Sequence, residues 1–137
     1  MSRAGVIDAA AQLFHSAAGD EPLHLYLLLV AASVGLSAFI DNIPYVAAML
    51  PVVQGVAALM NGGAGIEPEL FYFGLLTGAT LGGNLTPIGA SANIAAIGIL
   101  RKHGEQVRTR DFLRIGIPFT LAAVLTGYVY LWLVWGA

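Results

Sequence analysis

The sequence predicts an all-α integral membrane fold: a re-entrant helical hairpin, one broken transmembrane helix and one full transmembrane helix. Three observations predict it. First, hydrophobic residues make up 58% of the 137 residues and charged residues 10%, with a mean hydropathy of +0.79. Soluble domains run at about 45–50% apolar with about a quarter of their residues charged. A soluble chain of this length buries only about two-thirds of its surface, so the apolar excess would form large exposed patches, a difficulty that lipid removes. Second, charge is confined to short segments. Asp41 is the one Asp, Glu, Lys or Arg between Glu21 and Glu67, none lies between Glu69 and Arg101, and none follows Arg114. Third, the apolar stretch 70–100 is interrupted by Gly82-Gly83-Asn84-Leu85-Thr86-Pro87-Ile88-Gly89.

Residues 1–22 carry Val6, Ile7, Ala10, Leu13, Phe14 and Ala17 at helical spacing. They predict a short amphipathic or interfacial helix ending near Gly19, or the end of an upstream span. Early acid and an Ala-rich character do not read as a signal peptide. Residues 23–40 and 45–60 are apolar runs joined by Asp41-Asn42-Ile43-Pro44. Each is at or just below the roughly 20 residues of a membrane-crossing helix, so they are two short spans or the legs (23–60) of a re-entrant hairpin. A connector with one acid and no base is unusual for a cytoplasmic turn and favours the hairpin.

Residues 61–69 form a Gly-rich acidic loop. Within 70–100, Gly82-Gly83 can end a first half-helix, after which Thr86 suits an N-cap and Pro87 the first helical position. The segment thus spells a stop and a restart at membrane depth. Residues 101–114 hold five of the six basic residues, and 115–136 form a full final span closing on Tyr128, Tyr130, Trp132 and Trp135, aromatic residues typical of a membrane interface. The positive-inside rule assigns loop 101–114 to the cytoplasm of a multi-pass protein of the cell (inner) membrane, and loop 61–69, the N-terminal segment and the C-terminus to the outside.

Several chemistries are excluded. With no cysteine there is no disulfide, thiolate metal site or cysteine nucleophile. Gly89-Ala90-Ser91-Ala92-Asn93 resembles a serine-hydrolase motif but lacks its closing glycine, and His15, His24 and His103 fall in or beside hydrophilic segments, with no base for Ser91 and no metal-ligand spacing. Gly82-Gly83 lacks the lysine of a phosphate loop, and nothing points to nucleic acid or to a cofactor.

Two places carry chemistry. Placing a charge at membrane depth costs about 2.5–3.5 kcal/mol on insertion scales, so Asp41 is a functional candidate, besides being an ordinary turn residue ahead of a Pro-started helix. A capping aspartate at mid-membrane would still bind a cation or proton. The break 82–89 exposes backbone groups that lipid cannot satisfy, which requires protein or a water-filled cavity around it. The helix start at Pro87 offers partial positive charge to an anion, and the carbonyls near Gly82 can coordinate a cation. Asn84, Thr86, Ser91 and Asn93 add neutral ligands, although small polar residues also serve simply to pack helices closely. Both breaks put an Asn ahead of a Pro that restarts a helix, and paired discontinuous elements build transporter substrate sites.

Ser37-Ala-Phe-Ile-Asp-Asn-Ile-Pro-Tyr-Val-Ala-Ala-Met-Leu-Pro51 and Gly78-Ala-Thr-Leu-Gly-Gly-Asn-Leu-Thr-Pro-Ile-Gly-Ala-Ser-Ala-Asn93 resemble the last hairpin and last broken helix of the ion transporter superfamily. The resemblance is closest to its arsenite permease, NhaD-type sodium/proton antiporter and P-protein branch, with citrate and dicarboxylate carriers as more distant relatives. It covers nearly everything after Leu23, including Lys102-His103-Gly104 and Ile115-Gly116-Ile117-Pro118. The resemblance implies part of the second inverted repeat of a secondary transporter, a permease or antiporter and not an enzyme. Such a carrier moves arsenite, another anion or sodium, coupled to H+ or Na+, by alternating access. The implied substrate or coupling-ion contacts are Ser37, Asp41, Asn42, Pro44, Gly83, Asn84, Thr86, Pro87, Ser91 and Asn93, with a sodium ion at Asp41, Asn42, Asn84 and Thr86. Dicarboxylate carriers have a Ser-Asn-Thr type tip, and the departure to Asp41-Asn42-Ile43 favours cation or proton coupling. A carrier of this kind needs its first repeat, so besides the bilayer and a small ion the expected partner is a separate N-terminal half. The alternative is a non-transporting fragment or structural subunit.

Overall fold

The computed structural model describes residues 3–19, 21–60 and 68–136. Most of the predicted acidic loop, residues 61–67, lies outside them. The described residues form six helices and no strand: α1 (Arg3–Ala18), α2 (Pro22–Ser37), α3 (Asn42–Met60), α4 (Glu69–Gly82), α5 (Ser91–Lys102) and α6 (Thr109–Trp135). The fold is all-helical, as the composition and periodicity predict.

Local chemistry sets the boundaries. Gly19 takes a left-handed φ of 72° and its N–H returns to His15 O at 2.9 Å, closing α1. Pro22 then opens α2 in the first turn, where no intrahelical bond is lost. The end of α5 is a Schellman motif: Gly104 has φ 87°, its N–H bonds Arg101 O at 3.1 Å, and Glu105 N–H bonds Leu100 O at 3.1 Å.

Of the described helices, α6 alone combines the length and composition to cross a membrane. It has 27 residues, about 40 Å at 1.5 Å per residue. It begins at Thr109, six residues ahead of the span that hydropathy marks, because helical hydrogen bonding continues into the polar Arg110, Asp111 and Arg114. The apolar α2 and α3 have 16 and 19 residues, about 24 and 28 Å.

Packing centres on α2 against α4. A Cβ on Gly74 would lie 2.5 Å from the Tyr26 ring, one on Gly78 2.9 Å from Val30 O, and one on Gly82 2.7 Å from both Cα and O of Val34. The constant offset of 48 residues shows that the helices run parallel. Three glycines at four-residue spacing form a groove that admits the α2 backbone, the small-residue mode of helix contact in membranes. α6 lies antiparallel to α4, with Gly127 against Thr77 and Gly116 against Asn84 O. At one end Tyr26 stacks on Tyr128 (4.8 Å, 13°), and Phe73 meets Trp135 at 4.9 Å. α1 reaches α3 where Ala11 meets Gly55. α5 buries no residue at all.

Candidate functional site

The site lies where residues 38–41, between α2 and α3, meet residues 83–90, between α4 and α5. Ser37, fully buried at the end of α2, is 2.5 Å from Ala79 O and 2.7 Å from Asn42 Oδ1, so one hydroxyl joins α2, α3 and α4. A Cβ on Gly83 would lie 2.6 Å from Asn42 Oδ1, and one on Gly89 2.6 Å from Gly83 O and 2.8 Å from Ala38 O. These glycines are needed for close approach. α4 ends at Gly82 with Gly83 as its C-cap residue, at an ordinary helical φ of −58° rather than the left-handed one that glycine permits.

The restart also differs from its sequence expectation. α5 begins at Ser91, with Ala90 as an N-cap that has no side-chain bond. Thr86, rather than capping, donates its hydroxyl to Ala38 O across the site. Gly89 N–H bonds Thr86 O at 3.3 Å, so Pro87 occupies the second position of a four-residue turn, where its fixed φ is favoured. A tertiary partner for Thr86 outweighs the local capping preference. Asn93 holds the break from the far side, its Nδ2 donating to Gly83 O at 2.9 Å and to Thr86 O at 3.1 Å. The carbonyl of Gly83, the C-cap residue of α4, thereby gains a partner.

Asp41 closes the site. Its carbonyl accepts Tyr45 N–H at 3.2 Å, making it the N-cap residue of α3, while its Oδ2 accepts the hydroxyl of Ser91, the first residue of α5. One half-buried carboxylate thus sits at two helix N-termini, whose aligned peptide dipoles favour negative charge. Pro44, exposed in the first turn of α3, forfeits no helical hydrogen bond.

Ser37, Asp41, Asn42, Gly83, Thr86, Ser91 and Asn93 therefore belong to one network. Pro87 borders it. Asn84 lines a groove of about 440 Å³ with Leu100, Phe112, Gly116 and Phe119. No group of three or more His, Cys, Asp or Glu that could hold a metal ion occurs among the described residues, so any cation here would meet one carboxylate and neutral oxygens. Sequence reasoning missed the carbonyls of Ala38 and Ala79 and the pair Tyr45 Oη to Ser33 Oγ at 3.1 Å. It also missed the spacing Gly74-x3-Gly78-x3-Gly82, a signal present in the sequence.

A family profile described as Citrate transporter (CitMHS) matches residues 1–137. The chain belongs to this CitMHS family. CitMHS proteins are transporters, so the apolar helices are those of a membrane protein. Among similar proteins, an uncharacterized transporter of Mycobacterium tuberculosis is 37% identical over 131 residues, covering 96% of this chain and 30% of the relative. An uncharacterized transporter of Synechocystis is 32% identical over 146 residues, covering 97% of this chain and 32% of the relative. The P protein of Homo sapiens is 38% identical over 105 residues, covering 77% of this chain and 12% of the relative. The P-protein branch that the two motifs resemble is thus represented among these relatives. The chain spans about a third of the length of the first curated relatives it matches. No solved structure matches it.

Proposed function

We propose that these residues form part of the second inverted repeat of a secondary active ion carrier, with Asp41 as the coupling-ion group. The observation that carries the reading is the Asp41 carboxylate, placed at the N-termini of both α3 and α5 and bonded to Ser91. A carboxylate there exchanges its Ser91 partner for a proton or Na+ as the ion binds, and the tip of α2–α3 then parts from α5. The discontinuous helices supply exposed polar backbone at the same place. Together these give the ion control over a movable contact, which alternating access requires.

In this reading α2 and α3 form a re-entrant hairpin, supported by lengths below the roughly 30 Å hydrocarbon thickness. α4 and α5 form one broken crossing, with the basic segment 101–114 cytoplasmic and the C-terminus outside. The remaining part of the carrier, including the first repeat, comes from sequence equivalent to the rest of the longer relatives, as a separate N-terminal half or otherwise. The substrate is a small ion. The family description names citrate, and the tip motif keeps arsenite and sodium in the same comparison. The test is transport by vesicles containing the chain together with the N-terminal portion, using labelled citrate, arsenite and sodium under imposed proton and sodium gradients. Gradient-driven uptake of one ion that Asp41→Asn removes supports the reading. Undiminished uptake by Asp41→Asn overturns the coupling role, and absence of transport for every ion under both gradients favours a structural subunit.

A further inference from the structure

We propose that the N-terminal face of α6 binds an anionic phospholipid, with its phosphodiester against Arg108, Arg110 and Arg114 and an acyl chain running along Leu113 and Ile117 to the α4–α5 break. This inference is independent of the transported ion.

The argument begins with charge. Arg108, Arg110, Asp111, Leu113, Arg114 and Ile117 line one groove of about 600 Å³. All three arginines are exposed, and among the described residues none forms an ion pair with Asp111, Glu105 or any other carboxylate. Three guanidiniums and the single carboxylate of Asp111 leave the groove net positive. Guanidinium is a planar donor suited to a phosphate oxygen pair, and basic pockets on the cytoplasmic side of membrane helices suit anionic headgroups.

The second observation is what lies next to that charge. Leu113 and Ile117 also belong to an adjoining groove of about 480 Å³, whose other lining residues are Phe39, Leu85, Thr86, Pro87, Ile88 and Thr109. The two grooves thus lie side by side, with Leu113 and Ile117 lining both. The second is almost wholly apolar, and its lining includes Phe39 and Ile88, 68% and 58% exposed. A basic groove beside an apolar one fits an amphiphile, with a charged head at the interface and a hydrocarbon tail toward the bilayer centre. A free phosphate would use the first groove only. The tail would press on the Thr86-Pro87-Ile88 turn, so an occupied groove would steady the break that carries the Asp41–Ser91 contact.

The experiment uses the full chain, purified in detergent, with lipid retention read by native mass spectrometry. Phosphatidylglycerol and phosphatidylcholine of identical acyl chains are offered to the native chain, to Arg108→Gln/Arg110→Gln/Arg114→Gln and to Arg108→Lys/Arg110→Lys/Arg114→Lys, with helicity of each checked by circular dichroism. The expected result is retention of one phosphatidylglycerol at least about tenfold over phosphatidylcholine, lost in the Gln variant and kept only in part in the Lys variant, which has the charge without the planar donor pair. Inorganic phosphate in large excess should leave that retention unchanged. Equal retention of the two lipids, retention by the folded Gln variant, or displacement by inorganic phosphate would each overturn the proposal, the last identifying a simple phosphate site. Ile117→Trp separates tail from head: it should weaken phosphatidylglycerol retention with every arginine in place, and unaltered retention would remove the acyl channel.

Discussion

The Asp41 carboxylate and the Ser91 hydroxyl, fifty residues apart in sequence, are hydrogen-bonded partners, and they join the start of α3 to the start of α5. Every other cross-link in the site lies on the protein side of this contact: Ser37 with Asn42 and Ala79, Thr86 with Ala38, and Asn93 with Gly83 and Thr86. Ser91 is exposed and Asp41 half-buried, whereas Ser37 and Thr86 are buried. The contact most open to solvent is thus the one that joins the two breaks, and under the proposed coupling role it is the one an ion would meet.

Asp41→Asn keeps the size and hydrogen-bonding capacity of the side chain but removes its charge. It should abolish ion-coupled transport while leaving helical content and membrane insertion unchanged. Ser91→Ala removes only the tether. A hydrogen bond to a charged group contributes about 1.5–3 kcal/mol, and exposure places this one at the low end, so the equilibrium between joined and parted tips should shift about tenfold. Transport kinetics of the two variants, measured side by side, check this. A loss confined to Ser91→Ala, with Asp41→Asn transporting normally, would show that the tether rather than the charge is what matters.

Thr86→Val should be far more damaging than Thr86→Ser. The valine leaves Ala38 O without its partner in a buried position, at a cost of about 1–3 kcal/mol, while serine retains the donor. Protease susceptibility of the 38–41 turn, followed in detergent, reads the difference directly. Similar susceptibility in the two variants would mean that this hydrogen bond does not hold the turn.

Gly82→Ala should separate α2 from α4, since its Cβ would lie 2.7 Å from the Val34 backbone, and backbone cannot move aside as a side-chain tip can. Overpacking of this kind costs about 1–3 kcal/mol. Gly35→Ala meets nothing within 4 Å and should gain up to about 1 kcal/mol from helix propensity. Opposite signs in thermal melting of the two variants are the expected outcome, and a common sign would argue against the tight α2–α4 contact.

Much of this was legible in the sequence because its signals are local. Proline and asparagine mark both breaks, glycine marks the second, and the isolated Asp41 stands out against an uncharged background. What was not legible is pairing. Thr86 has the composition of an N-cap, and only the arrival of Ala38, forty-eight residues away, redirects its hydroxyl. Gly83 reads in the sequence as a helix end, but that its missing Cβ lets Asn42 approach is visible only in the fold. Asn84 matches the motif by position, but its backbone carbonyl lies against Gly116 of α6 and it lines a groove with α6 residues, a pairing that only the fold brings about.

Asn93 supplies the sharpest discrimination between a packing residue and a residue that fixes the break. Its amide donates to Gly83 O and Thr86 O at 2.9 and 3.1 Å, and both partners are acceptors. Asn93→Ala loses two hydrogen bonds, each worth about 1 kcal/mol, and leaves room for water to replace them. Asn93→Asp instead puts an acceptor-only carboxylate against two carbonyl oxygens and adds a second negative charge near Asp41. If Asn93 merely filled space, the near-isosteric aspartate would be the milder change. If its two donors set the geometry of the break, the aspartate is the worse one, with lower transport and lower melting temperature than the alanine variant. Raising the salt concentration should recover part of the aspartate defect, since screening acts on the added charge, and should leave the alanine variant where it was.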